Sequence, residues 1–394
     1  MTSFDVLIVG GGPAGATCAW ALRRAGLHVL VRDRACFPRE KPCAGWVTPG
    51  VFRMLELDPD EYSAGGRTCQ AIRGFVVGRD GGHAVRTRFP DVVSYGVCRR
   101  EFDALLLERS GARVDSGQPV RSIRRDRLGW VLDETYRAPL LIGAGGHYCP
   151  VARTLGARPG SGEAAIVAQE VEYRLDPSTS AACPVEPELP ELTFCRDLRG
   201  YGWCFRKGDV LNVGLGRWGA SGQRLGAYVA DFLEALVRRG RIPGLPPRRM
   251  MGHAYVPARV TRRRLLDDGV MLVGDSAGTA YPESGEGIAP AIESALMAAT
   301  TAIEADGHYQ SERLEGYRSR IRARFGGPAG RLRVPAFALT PWLLPVAGLL
   351  LSQGWFSREV VMKRWFLHAM VPDFSERPWA LASDCLHERE VVDR

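Results

Sequence analysis

The segment Phe4-Asp5-Val6-Leu7-Ile8-Val9-Gly10-Gly11-Gly12-Pro13-Ala14-Gly15 decides the fold of this chain. A short apolar run with β-branched residues predicts a buried strand, the glycines predict a tight turn, and the alanine-rich stretch that follows predicts a helix to about residue 25. Gly10, Gly12 and Gly15 have the GxGxxG spacing, which lets the chain turn sharply, brings backbone amides close to a pyrophosphate and packs helix on strand. Pro13 and Ala14 open the helix, whose free amides then face the anion. A second apolar run at 28–31 leads to Asp33 and Arg34, with the aspartate 23 positions after Gly10. An acid at that place accepts hydrogen bonds from the ribose of an adenosine. Strand, glycine turn, helix and acid together predict a dinucleotide-binding βαβ unit, although the glycine string alone is weak evidence.

Outward from this unit, residues 99–109 read as a helix, 112–120 as a strand, 140–144 as a buried strand and 40–49 as a loop. Between about 170 and 256 the pattern alternates, as in Val210-Leu211-Asn212-Val213-Gly214-Leu215, which suits an antiparallel sheet. Val270-Met271-Leu272-Val273 then returns as a buried strand, and 288–303 as a helix of small residues. The expected class is α/β: a Rossmann-like cofactor domain with an inserted antiparallel-sheet substrate domain and a C-terminal helical region. The expected boundaries are 1–70, 96–169 and 257–325 for the discontinuous cofactor domain, 71–95 and 170–256 for the sheet domain, and 326–394 for a helical cap.

Composition narrows the function. A chain of 394 residues with 45% hydrophobic and 24% charged residues has ordinary globular usage, which excludes a disordered, collagenous or multi-span membrane protein. The net charge of +8 is carried by arginine, since lysine occurs only at 41, 207 and 363. The arginine groups at 121–127, 259–264 and 318–324 read as solvated faces or anion contacts, and without aromatic interleaving they do not predict a nucleic-acid partner. Ten scattered cysteines without CxxC spacing, behind a start that lacks a basic and apolar leader, predict free thiols, no metal site and a cytoplasmic protein. Residues 334–357 carry no charge, but Pro335, Pro341 and Pro345 interrupt them, so a buried cap or a peripheral membrane contact is expected rather than a span.

A second cofactor loop is implied by Leu272-Val273-Gly274-Asp275 and by Tyr281-Pro282-Glu283-Ser284-Gly285-Glu286-Gly287-Ile288. Asp275 at a strand tip can hold a ribityl or pyrophosphate group. Amides around Gly285, Gly287 and Ile288, after Pro282, can stabilise negative charge on a reduced flavin. FAD is therefore the expected cofactor.

These strings resemble the FAD-dependent oxidoreductase superfamily typified by p-hydroxybenzoate hydroxylase, over residues 1–324. Within it the chain most resembles the geranylgeranyl reductase family. Three further strings carry that likeness: Arg39-Glu40-Lys41-Pro42-Cys43-Ala44-Gly45, Arg99-Arg100-Glu101-Phe102-Asp103, and Gly200-Tyr201-Gly202-Trp203-Cys204-Phe205-Arg206-Lys207-Gly208-Asp209. The resemblance implies that Cys43, Ala44 and Gly45 lie beside the isoalloxazine ring, that Arg99 contacts FAD, that Val120 meets the adenine, and that Trp46, Tyr201 and Trp203 line the substrate cavity. Two departures stand out. The usual alanine, aspartate, glycine motif is replaced by Ala144-Gly145-Gly146-His147, which weakens the case for direct reduction by NADPH, and Arg206 stands where the reductases commonly have a proline.

Cys43 is the expected catalytic candidate, open between shaping the pocket, moving a proton and serving as a plain loop residue. His147 and His253 are acid–base candidates or structural histidines, and Glu283 and Glu286 are flavin-loop carboxylates or helix-start charges. The leading expectation is an enzyme that reduces C=C bonds of an isoprenoid or similar apolar substrate by hydride transfer from flavin N5, supplied by an external donor such as NADPH or a ferredoxin-like protein. The alternative is a monooxygenase of natural-product biosynthesis, a hydroxylase rather than a halogenase because no WxWxIP string is present. A flavin-binding carrier without turnover is the reading from outside enzymology.

Overall fold

Val6–Val9 lies inside a six-stranded sheet ordered Leu266–Asp267, Val270–Leu272, Leu140–Gly143, Val6–Val9, Val29–Asp33, Arg113–Ser116. Neighbours run parallel except at the edge pair Leu266–Asp267 and Val270–Leu272. This computed structural model describes residues 1–159, 165–219, 222–258, 263–326 and 344–380. Alternate residues of the central strand enter different cores. Val6 and Ile8 pack with the helices Pro13–Arg24 and Ile288–Glu304, while Leu7 and Val9 pack with Trp130, Leu132 and Val151 on the other face. Burial on both faces explains why the run is continuously apolar rather than alternating. The second face is covered by a four-stranded sheet ordered Thr2–Ser3, Tyr136–Ala138, Gly129–Leu132, Ile123–Asp126.

The helix Ile288–Glu304 is built largely of alanine and other small residues and is buried from Ile288 to Ala302, so it lies close against Pro13–Arg24. Both helices start at the carboxyl ends of the parallel strands, where ligands of such sheets bind.

A seven-stranded sheet follows, ordered Met251–Tyr255, Ile166–Arg174, Val210–Trp218, Gly200–Lys207, Glu191–Phe194, Gly74–Arg79, Val85–Arg88. Its two faces have different tasks, set by the period of two along each strand. Val171, Cys204, Leu211, Val213 and Leu215 pack under the helix Gly222–Arg238, through Leu225, Val229, Leu233 and Leu236. The intervening residues, Ala168 and Glu170 on one strand and Tyr201 and Trp203 on another, look the other way and wall a cavity.

Two differences from the sequence reading concern boundaries, at 71–95 and 112–120. Residues 71–95 divide between sheets: Gly74–Arg79 and Val85–Arg88 join the seven strands, whereas Cys69–Ile72 and Ser94–Val97 pair with each other and Trp46–Val47 in a separate three-stranded sheet. Within 112–120 only Arg113–Ser116 is a strand, because Gly117 takes φ +93 and Pro119 has no amide to donate. In the tail, Leu344–Leu351, Gly354–Phe356 and a π-helical Ser357–Phe366 are described, and the rest of the apolar stretch, 334–343, lies outside the described residues. Among the described residues no helix is long and apolar enough to cross a membrane.

Candidate active site

The glycine turn is set by close backbone approach. A Cβ at Gly15 would stand 1.8 Å from the Gly10 carbonyl oxygen, and one at Gly10 would stand 2.3 Å from that of Ala144. Pro13 occupies the first turn of its helix and no side chain caps that end, which leaves its amides available to an anion. Asp33 braces the turn: Oδ2 accepts from the Gly11 amide at 2.6 Å and Oδ1 from the Ala35 amide at 2.8 Å. Arg34 and Val120 line the same cleft. Arg99 is buried and clamps Asp103 with two hydrogen bonds of 2.7 and 2.8 Å, and Asp103 also pairs with Arg39 at 3.1 Å.

Asp275 sits in the turn Gly274–Ser276 and reaches His253 Nε2 at 3.2 Å, while His253 Nδ1 meets Lys41 Nζ at 3.0 Å. Burial pushes Lys41 down to about 8, with Arg99 acting in the same direction. Burial and the Lys41 cation also lower His253, which favours its neutral form. His147 is held instead by Arg263, whose Nη2 lies 3.1 Å from Nδ1 and whose Nη1 binds the carbonyls of Asp275 and Ser276. The two histidines thus meet at Asp275, His253 on its carboxylate and His147 through Arg263 on its carbonyl. Of the flavin-loop carboxylates, Glu286 is the buried one: burial pushes it up to about 8, and its Oε2 lies 3.4 Å from His368 of the tail. Tyr201 donates its hydroxyl hydrogen bond to the Ser284 carbonyl, so it fastens this loop as well as walling the cavity.

The Cys43–Gly45 loop is held by residues the sequence reading did not single out as site residues. The Cys43 amide donates to Glu170 Oε1 at 2.5 Å, Asn212 Nδ2 donates to the Cys43 carbonyl at 3.3 Å, and Lys207 Nζ donates to the carbonyls of Ala44 and Val97 at 3.2 and 3.0 Å. Lys207 also pairs with Glu172. Burial opposes its charge, but Glu172, Cys98 and Glu170 together outweigh that and raise its pKa. Gly45 takes φ +67, and a Cβ there would meet the Val97 oxygen at 1.9 Å. The Cys43 sulfur accepts from the Gly45 amide at 3.4 Å.

Beyond Cys43 the walls turn aromatic. Trp46 stacks between Phe75 and Phe366, with centroids 4.7 and 5.5 Å away, and Phe366 meets Tyr201 at 5.2 Å. Trp203 lies 6.0 Å from Tyr201 and donates its indole N–H to Asn212 at 2.7 Å. Phe366 and His368 come from the tail. Both were legible only as parts of a cap, because nothing local in sequence connects Phe366 to Trp46 and Tyr201 or His368 to Glu286.

One cavity of about 1560 Å³ joins these parts, from Gly10 and Asp33 past Cys43, Glu170 and the 281–287 loop to Trp203, Trp365 and Phe366. Ligand pockets usually measure roughly 300–1,000 Å³, so this one has room for a dinucleotide and a second ligand. The glycine cradle, the uncapped helix start and the Cys43–Gly45 loop fit FAD laid along it. Among the described residues no cluster of three potential metal ligands occurs.

Comparison with known proteins agrees with this geometry. Residues 3–326 match the FAD binding domain family. The chain is 31% identical to digeranylgeranylglycerophospholipid reductase 2 of Methanothermobacter thermautotrophicus over 82% of its length and 84% of that protein's. It is 30% identical to a menaquinone reductase of Mycobacterium tuberculosis, over 75% of this chain and 76% of that one. A solved geranylgeranyl bacteriochlorophyll reductase-like protein from Thermoplasma acidophilum has the same fold, with a TM-score of 0.75, 23% identity and coverage of 92% and 96%. With that cavity and these relatives, the chain belongs to the FAD binding domain family and, within it, to the geranylgeranyl reductase group of FAD-dependent oxidoreductases.

Proposed function

We propose that the protein saturates carbon–carbon double bonds in the isoprenoid chain of a lipid or quinone. The observation that carries this reading is the continuity of the cofactor cleft with an aromatic tunnel walled by Trp46, Phe194, Tyr201, Trp203 and Phe366. The names of the relatives, reductases of a geranylgeranylated phospholipid and of menaquinone, support the same substrate class.

Bound FAD, once reduced, supplies a hydride. This chain's residues then have three tasks. The aromatic walls hold an extended apolar chain in one register, since an isolated alkene accepts hydride poorly and alignment must lower the barrier. Tyr201 and the tail keep water out of the reacting region. Lys207, Asn212 and Glu170 fix the Cys43–Gly45 loop against which cofactor and substrate meet, while Cys43 shapes the pocket. The site residues of the glycine turn, Asp33, Arg34, Arg99, Val120 and the 282–288 loop serve the cofactor.

Reducing equivalents come from an external donor, NADPH or a ferredoxin-like protein. The tail makes the membrane contact that a lipid substrate requires: Val346, Leu349, Trp355 and Met370 are exposed apolar side chains on or beside it. The test is to incubate the flavin-loaded protein and a chemical reductant with geranylgeranyl lipids and prenylated quinones. The reading expects a mass gain of about 2 Da per bond, set by the hydride and proton added. It fails if every prenyl chain is recovered unchanged while the flavin cycles.

A further inference from the structure

We propose that Glu170 is the acid of this reaction, giving its proton to the alkene carbon that does not receive the hydride. The inference rests on the substrate reading above and adds the identity of the proton donor.

Glu170 belongs to the strand Ile166–Arg174 and points to the cavity side of the seven-stranded sheet, in the same cross-strand row as Trp203 with Gly214 between them. Gly214 makes this neighbourhood possible: a Cβ there would stand 2.3 Å from the Trp203 ring and 2.7 Å from the Glu170 Cβ. The residue is 3% exposed. Its Oε1 is committed to the Cys43 amide at 2.5 Å, whereas Oε2 is buried and makes no hydrogen bond among the described residues. A buried carboxylate oxygen without a donor is costly, but a protonated one is a poised acid. Burial pushes Glu170 up to about 7, with Glu172 adding to the rise, against the opposing pull of the Cys43 amide, Lys207 and the Asn212 side chain.

Other groups around the cavity are less suited. Tyr201 spends its proton on the Ser284 carbonyl, and burial holds it well above the usual phenol range. His253 is bound on both nitrogens, by Lys41 and Asp275. Arg99 is clamped by Asp103, and Lys207 is tied to Glu172 and two carbonyls. Glu286 also has a buried oxygen without a hydrogen bond, but its other oxygen is engaged by His368 of the tail at 3.4 Å, whereas the other oxygen of Glu170 holds the Cys43 loop.

The step balances. Hydride from the reduced flavin, the two-electron reductant, forms a C–H bond at one alkene carbon as the π bond breaks. The Glu170 O–H bond breaks to form the second C–H bond, and the carboxylate left behind takes a proton from water before the next turnover.

The test uses Glu170→Gln, because glutamine keeps an oxygen for the Cys43 amide and removes only the acid. Reduced parent and variant are mixed anaerobically with a geranylgeranyl lipid across pH, with flavin content and visible spectrum as controls for the loop. The expected result is unchanged flavin binding and a single-turnover rate at least about 100-fold lower, the scale of general acid catalysis. The parent's rate should also fall above a pH near 7 while the variant's stays flat. A variant within about threefold of the parent, or with the same alkaline limb, overturns the proposal. Infrared spectra of the ligand-free protein give a readout without turnover: a protonated-carboxyl band should titrate near pH 7 and vanish in Glu170→Gln. Its absence overturns the proposal, whereas its presence in a parent inactive on every prenyl lipid refutes the substrate reading instead.

Discussion

The Lys207 ammonium is enclosed against Glu172, and the same nitrogen holds the carbonyls of Ala44 and Val97. The ion pair joins two strands of the seven-stranded sheet, and the Lys207 hydrogen bond to Ala44 ties that sheet to the Cys43–Gly45 loop. Replacing Lys207→Met leaves Glu172 with the Asn212 amide but no cation and frees both carbonyls, at a cost of about 3 kcal/mol for a broken buried pair. Chemical denaturation should show this loss together with weaker FAD retention, and Lys207→Met with Glu172→Gln should recover part of the stability. Equal destabilisation by the single and double variants would contradict the pairing.

Gly15→Ala should abolish FAD retention. The new methyl would fall 1.8 Å from the Gly10 oxygen, so helix and turn must separate where we propose that the pyrophosphate binds. The ratio of flavin to protein absorbance after purification measures this, and a variant that keeps its flavin would refute the cradle.

Stability should respond to pH through Glu170. Its ordinary value is 4.5, and in the folded protein burial lifts it to about 7. Between these values the folded chain holds a proton that the unfolded chain releases, so stability falls as pH rises through the interval. At ~1.4 kcal/mol per pKa unit the total approaches ~3 kcal/mol. Glu170→Gln should thus gain stability relative to its parent from pH 4.5 to 7, read by denaturant melts at each pH. A constant difference would show that Glu170 titrates normally.

Phe366→Ala should remove the tail's anchor. The ring is 3% exposed among Trp46, Phe194 and Tyr201, and deleting a buried phenyl ring costs about 3–5 kcal/mol. With the tunnel wall breached, KM for a prenyl substrate should rise more than kcat falls. The reverse pattern would place Phe366 away from the substrate.

The cofactor half of the molecule was legible because its signals are local. Gly10, Gly15 and Asp33 lie within one βαβ unit, and the loops at Asp275 and Gly285 announce themselves by glycine spacing at strand ends. The surroundings of Cys43 were not, since Glu170, Asn212 and Lys207 look like ordinary alternating polar residues of a strand. Only the register of three strands places them together under Cys43. Lys207 lies in the Gly200–Asp209 segment, and its rarity in an arginine-rich chain was the one available signal. Phe366 and His368 depended on how the tail folds back, which no period in the sequence encodes.

The most direct test of the central claim is anaerobic. The chemically reduced protein is mixed with a geranylgeranyl lipid while flavin absorbance and product mass are followed together. The account predicts that oxidised-flavin absorbance returns without oxygen, at the rate at which product gains about 2 Da per bond. A flavin that stays reduced with every prenyl lipid, and is reoxidised in a ligand-dependent way only when oxygen enters, would contradict it and identify an oxygenase.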